Sequence, residues 1–279
     1  MKKFLLSLSF LSCLLLASCA GPGKYPFHRV VPPRSSQAEI KHKIVESLKA
    51  RNALVYGIKG KASVRLEVHG LRIRRDLLLA VKRPSQLRIE ALSDLGVENF
   101  QWVDSNGDYQ LYWPTQNLYA YGTANQDHME KNFRLSMDPD QLISILTGFV
   151  PLDLEEDYEL KAPKKNPSNK KESYWTLKGK TSEIKVSQTS MPGDGKSFLP
   201  REYRSYRIDG SREYRIEFSD YTEHHGVLFP GHLKARFWDP SSKVEITYED
   251  LQIYSGMHPA IDNKVFRLNI PHDATLTSD

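Results

Sequence analysis

The chain has 279 residues, with 39 Lys+Arg against 34 Asp+Glu for a net charge of +5, 39% hydrophobic residues and 10% aromatics. A mean hydropathy of −0.52 excludes a polytopic membrane protein, and the aromatic content excludes a wholly disordered chain. The positive excess is small and mixed with acids along the chain, so nothing points to nucleic acid as a partner.

Both cysteines, Cys13 and Cys19, lie in the first 19 residues. The body therefore has no disulfide framework, zinc–thiolate cluster or cysteine nucleophile. Met1-Lys2-Lys3 is a short positive segment, and Phe4 to Leu16 is a 13-residue apolar run. As a helix that run rises about 20 Å, short of the roughly 30 Å hydrocarbon core, so it reads as a signal-peptide segment. Leu16-Ala17-Ser18-Cys19 then resembles the bacterial lipobox. The resemblance implies removal of residues 1–18 and lipidation of Cys19; the alternative is an ordinary cleavage site that happens to hold a Cys. Several acyl chains on one residue anchor stably, where one chain is marginal. Ala20 stands where an Asp would favour the inner membrane, so the expected address is the outer membrane, facing the periplasm. Residues 19–35, with Pro22, Gly23, Pro26, Pro32 and Pro33, read as a tether that reaches about 50 Å when extended.

Residues 36–279 read as one mainly β domain. Ser36 to Asn52 carries Ile40, Ile44 and Leu48 at i, i+4 and i+8, which predicts a helix with one apolar face. Alternating runs follow: Val64-Leu66-Val68, Leu87-Ile89-Ala91, and Tyr109-Leu111-Trp113 after the Asn106-Gly107 turn. Further on come Tyr214-Ile216-Phe218, Leu233-Ala235-Phe237 and Val244-Ile246-Tyr248. Roughly eleven such runs are spaced as in antiparallel sandwiches and barrels, and no βαβ rhythm appears. One helix interrupts them: Asp138 as N-cap, Pro139 at its first position, Gln141 at N3 and Gly148 as a stop. Its Leu142, Ile143, Ile145 and Leu146 either plug the core or form a lid. Lys161 to Glu172, with five lysines, reads as a soluble hairpin loop or a segment that approaches anionic head groups.

Catalytic patterns are missing: no G-x-S-x-G, H-E-x-x-H, P-loop or G-x-G-x-x-G occurs. His224 and His225 are adjacent, so in a strand they face opposite sides and do not share a metal. No enzyme activity, metal site or cofactor is expected.

The segment Lys82 to Asp153 resembles the LolA/LolB-like superfamily of lipoprotein carriers and outer-membrane receptors, most of all the LolB receptors. The similarity lies in a strand ending in Leu95-Gly96, the hairpin at Asp104-Ser105-Asn106-Gly107, and the segment Leu142 to Asp153 with its Leu-Thr-Gly and Pro-Leu; beyond it, Asn263 to Ala274 resembles the last strand of the LolA-like group, which implies a strand there. Asp94 departs from the family's usual Pro, and the Lys161–Glu172 stretch has no counterpart. The resemblance implies a single curved antiparallel sheet, an incomplete barrel with covering helices and an apolar cavity between. Ile40, Ile44 and Leu48 of the first helix and Leu142, Ile143, Ile145 and Leu146 of the second would line that cavity. Leu95, with Gly96 allowing the turn, would press into the membrane. Acyl chains of lipoproteins or phospholipid would be the ligands, a periplasmic LolA-like carrier the delivering partner, and a monomer the working form. The competing reading is an envelope scaffold that uses the same fold to hold a protein partner.

Overall fold

The computed structural model of the chain describes residues 34–68, 70–93, 98–153, 156–165, 173–191, 195–238, 241–255 and 261–277. Helix α1 (Arg34–Leu54) runs directly into β1 (Val55–Val68), followed by β2 (Leu71–Lys82), β3 (Gln86–Leu92), β4 (Glu98–Ser105), β5 (Asp108–Trp113) and β6 (Leu118–Thr123). Two eight-residue helices come next, α2 (Gln126–Phe133) and α3 (Pro139–Leu146). The second half is β7 (Glu159–Lys165), β8 (Ser173–Lys178), β9 (Ser182–Met191), β10 (Gly195–Tyr206), β11 (Arg212–His224), β12 (Val227–Trp238) and β13 (Ser241–Ser255). A 3₁₀ turn, Asn263–Phe266, and a two-residue β14 (Thr275–Leu276) end it.

All fourteen strands form one sheet, in the order β14-β6-β5-β4-β3-β2-β1-β13-β12-β11-β10-β9-β8-β7. The sheet does not close on itself, so the architecture is the expected incomplete barrel with helices. Neighbouring strands are antiparallel except for β14, which runs parallel to β6. Each half of the sheet is a meander of strands that follow one another in the sequence. Long β1 and β13 join the halves, pairing from Val55↔Ser255 to Val68↔Ser242 with a bulge after Lys61. Gly60 is required there: a Cβ would lie 1.9 Å from the Asp250 carbonyl oxygen.

Period-two alternation gives the sheet two faces. The inner face carries Ile58, Val81, Leu87, Trp102, Tyr109, Leu111, Tyr214, Ile216, Leu233 and Phe237, all buried in one cluster with the helices. The outer face is polar along most of its area, with a small second cluster of Ala80, Val103, Ile261 and Phe266.

Four expectations need amending. Helix α1 extends two residues past each end of the predicted span. Lys161–Lys165 belongs to strand β7 and not to a loop; residues 166–172 lie outside the described residues. The segment after β13 is not a strand. Asp262 accepts from Lys264 N at 2.9 Å and starts a 3₁₀ turn, which folds Ile261 and Phe266 onto the outer face. Helix α2 was not expected. It is polar in composition and is fixed by its cap: Asn125 Oδ1 accepts from His128 N at 2.9 Å.

Candidate functional site: the inner face and its helical roof

Three helices cover the inner face. Helix α1 touches β1, β7 and β10, and Ser47 Oγ accepts from Phe198 N at 3.1 Å. Its Ile44 and Leu48 are fully buried, while Ile40 is half-buried against the same cluster. The sequence places these three at helical spacing, and the structure puts all of them on the sheet side.

Helix α3 forms with the predicted capping box. Asp138 N donates to Gln141 Oε1 at 3.2 Å, and Pro139 occupies the first turn. The helix ends at Gly148, whose φ of +79° no other residue adopts easily. Leu142, Ile143, Ile145 and Leu146 are all buried, packed in one cluster with Phe149, Val150 and Phe229. The lining residues therefore meet, but they fill the space beneath the roof with their own side chains.

Helix α2 covers the other end through aromatic contacts. His128 stacks on Tyr109 with centroids 3.6 Å apart, Phe133 stacks on Trp102 at 3.9 Å, and Met129 is fully buried beside them. Below them Asp104 is 2% exposed. Burial lifts its pKa to about 7, opposed by the Trp102 Nε1 hydrogen bond and reinforced by Asp140. Burial also pushes His128 down to about 4. His128 Nε2 lies 4.0 Å from Asp104 Oδ1, beyond hydrogen-bond reach. Between about pH 4 and pH 7 the two are neutral neighbours and not an ion pair. Trp102 and Asp104 face inward opposite Leu111 and Tyr109 of β5; the sequence reading singled out neither for the site, and it did not find His128 because α2 was missed.

Polar ties fasten α2 and α3 to the sheet. Tyr248 Oη donates to the Leu146 carbonyl at 2.7 Å, and Ser242 Oγ to the Arg134 carbonyl at 3.3 Å. A concavity of about 630 Å³ opens at the N-terminal end of α3, lined by Ser85, Asp104, Asn125, Asp138, Asp140 and Ile143 among others. Another, of about 570 Å³, lies across Lys59, Lys61, Leu78, Arg88 and Val265.

At the free end of β1 and β2 the sheet runs past the helices. The first six residues of β2 are exposed. Leu71 is 69% and Ile73 43% exposed, opposite Val68 and Leu66 of β1. Their neighbours Arg72 and Arg74 point to the other face of the hairpin, where Arg65 and Lys243 also lie.

Cys19, Leu95 and Gly96 fall outside the described residues. Among the described residues no helix is long and apolar enough to cross a membrane, and no group of three or more His, Cys, Asp or Glu is placed to hold a metal.

Neither a family model nor a curated protein matches the chain by sequence. Solved structures do match by fold. A LolA superfamily protein of Nitrosomonas europaea aligns over 81% of this chain and 98% of its own, at 10% identity and a TM-score of 0.53. A domain of Vibrio parahaemolyticus described as an outer membrane lipoprotein-sorting protein aligns over 77% and 92%, at 11% and 0.54. A DUF1329 family protein of Desulfovibrio piger aligns over 81% and 97%, at 12% and 0.56. Identity this low speaks for the fold alone.

Proposed function

From a chain with the LolA/LolB-like fold, we propose an outer-membrane lipoprotein, anchored through Cys19, that takes acyl chains of lipoproteins or phospholipid between the inner face and its roof. It then assists their insertion into the membrane. The observation that carries this reading is the fastening of the roof. Two short helices cover an apolar floor, with the hydrogen bonds of Tyr248 and Ser242 as polar ties.

The energies suit exchange. Burying the four apolar side chains of α3 stabilises the closed form by roughly 2 kcal/mol each, about 8 kcal/mol together. A 16-carbon chain gains about 0.8 kcal/mol per methylene, roughly 12 kcal/mol, on leaving water. A chain that slides under α3 replaces the contacts it displaces with a surplus of a few kcal/mol, enough to hold cargo and little enough to release it.

Delivery needs contact with the bilayer. The loop at Leu95-Gly96 is one candidate from the sequence. The β1–β2 hairpin is a second: Leu71 and Ile73 offer apolar side chains to the interface, and Arg65, Arg72 and Arg74 offer charge to lipid phosphates. A lipidated anchor on a 17-residue tether would hold both within reach of the surface.

The protein-scaffold reading has one observation in its favour. The floor is filled by Trp102, Tyr109, Tyr203, Tyr214 and Phe237. Native mass spectrometry of the body without its acyl anchor separates the two readings. Co-purified lipid, or uptake of a fluorescent fatty acid, supports the carrier. A protein that is empty and refuses the fatty acid rejects it in favour of the scaffold.

A further inference from the structure

Three arginines from distant parts of the chain meet around two aromatic rings at the C-terminal end of the α3 roof. Arg51, in the last turn of α1, is 8% exposed. Its Cζ lies 5.8 Å from the ring centre of Phe149 and 5.4 Å from that of Tyr221. Arg83, in the β2–β3 turn, lies 4.9 Å from the Phe149 ring. Arg201, in β10, lies 5.2 Å from the Tyr221 ring. Phe149 directly follows Gly148, so the cluster adjoins the end of the roof.

Two of these cations have settled bonds. Arg83 Nη1 donates to the Asn52 carbonyl in the last turn of α1 and, at 3.5 Å, to that of Val55 at the start of β1. Arg201 Nε donates to Ser187 Oγ at 2.6 Å. Arg51 differs. Its Nε and Nη2 are buried without a hydrogen-bond partner among the described residues. The Tyr221 hydroxyl is turned toward the Pro200 carbonyl, to which it donates at 2.6 Å. Ring faces attract a guanidinium but do not accept its N–H groups as a charged oxygen does. A buried, incompletely bonded cation beside two more like charges is unfavourable unless an anion joins them.

We infer that Arg51, Arg83 and Arg201 form the seat of a lipid phosphate, so that the ligand under the roof is a phosphate-bearing lipid whose head group lies beside Phe149 and Tyr221. The planar fork of a guanidinium matches two oxygens of a phosphate, and three forks leave few phosphate oxygens unbonded. The position fits the acyl chains as well: Phe149 belongs to the same buried apolar cluster as Val150, Ile145 and Leu146. This inference rests on the carrier reading above and adds the chemistry of the head group.

The test compares two fluorescent lipids with identical acyl chains, phosphatidylglycerol and diacylglycerol, on the full chain. The wild type is expected to bind phosphatidylglycerol at least tenfold more tightly. Arg51→Met is expected to bring the affinity ratio close to one, and Arg201→Gln to lower it about threefold, which keeps the test usable if Arg51→Met does not fold. Raising the salt concentration should also shrink the wild-type ratio. Equal affinities in the wild type overturn the phosphate seat and leave the carrier reading standing. If neither lipid binds, both are overturned. If inorganic phosphate raises the melting temperature while the two lipids bind equally, the site is a free-phosphate site and the lipid assignment is wrong.

Discussion

Trp102 and Asp104 lie two residues apart on β4, so both side chains project from the inner face, and the indole Nε1 donates to Asp104 Oδ1 at 2.7 Å. That bond satisfies one carboxyl oxygen. Oδ2 has no partner among the described residues, and the carboxyl group sits beneath α2 in surroundings that favour its neutral form.

Stability should therefore depend on pH through two opposed groups. Asp104 rises from 3.8 to about 7 in the fold. A raised carboxylic acid stabilises fully below the unfolded value and loses that contribution as pH rises to about 7. His128 falls from 6.5 to about 4, so its contribution is present above pH 6.5 and is lost as pH falls toward 4. Across pH 4 to 6.5 the two slopes nearly cancel. Asp104→Asn should leave the histidine slope alone, with stability rising by about 2 kcal/mol across that window. Urea denaturation at half-unit steps reads this; a profile identical to the wild type would contradict the assignment.

Glu202 is 7% exposed at its side chain, with Lys185, Arg204 and Arg215 at 2.7, 2.7 and 2.5 Å. Burial alone would raise its pKa, but the three cations hold it below the ordinary glutamate value. Its contribution is present above the unfolded pKa and is lost as pH falls through the lowered folded one. Glu202→Gln leaves three partly buried cations facing one another and should cost about 2 kcal/mol. Denaturant midpoints at pH 7 should drop accordingly, and the gap between variant and wild type should narrow in acid.

Gly148 holds the end of α3 at φ +79°, and a Cβ there would lie 2.8 Å from Pro230 Cδ. Gly148→Ala combines an unfavourable backbone with a clash and should destabilise by roughly 1–3 kcal/mol. Because the displaced atoms adjoin the roof, protection from hydrogen exchange should fall first in α3 while the amides of β11 and β12 keep theirs.

Ile143→Ala removes three buried carbons from the roof and should cost about 2–4 kcal/mol. On the carrier reading it also loosens the lid, so uptake of a fluorescent fatty acid should become faster. Slower or unchanged uptake in a stopped-flow experiment would count against α3 as a lid.

Leu71 and Ile73 project from the β1–β2 hairpin into solvent, so replacing both with Glu should leave the melting temperature within about a degree or two. Sedimentation with vesicles containing anionic lipid should fall about tenfold. Vesicle binding equal to the wild type would remove the hairpin from the delivery surface, leaving the Leu95 loop to be tested by Leu95→Glu.

What the sequence made legible was local. Alternation in Leu87-Ile89 or Tyr214-Ile216-Phe218 names both the strand and its buried face, because period two leaves few other arrangements. Asp138, Pro139 and Gln141 mark the start of α3 through bonds within four residues. Helix α2 escaped because its apolar residues, Met129 and Phe133, are sparse and its stability comes from Tyr109 and Trp102 on other strands. Asn263 to Ala274 was misread because an aromatic residue ahead of a Pro suits both a strand end and a turn. Only the Asp262 bond and the outer face decide between them. Arg51, Arg83 and Arg201 were invisible as a group, since 150 residues separate the first from the last and nothing in the spacing brings them together.

The order of strands leaves β7 at one margin of the sheet and puts only the two residues of β14 at the other. Exposed margins of β-structure are templates on which further chains can assemble. Here one margin is interrupted by Pro163, which has no N–H to donate, and the other carries a strand only two residues long. A wide, unclosed sheet can thus persist without polymerising. Extending β14, or replacing Pro163 by a strand former, should favour assembly through these margins.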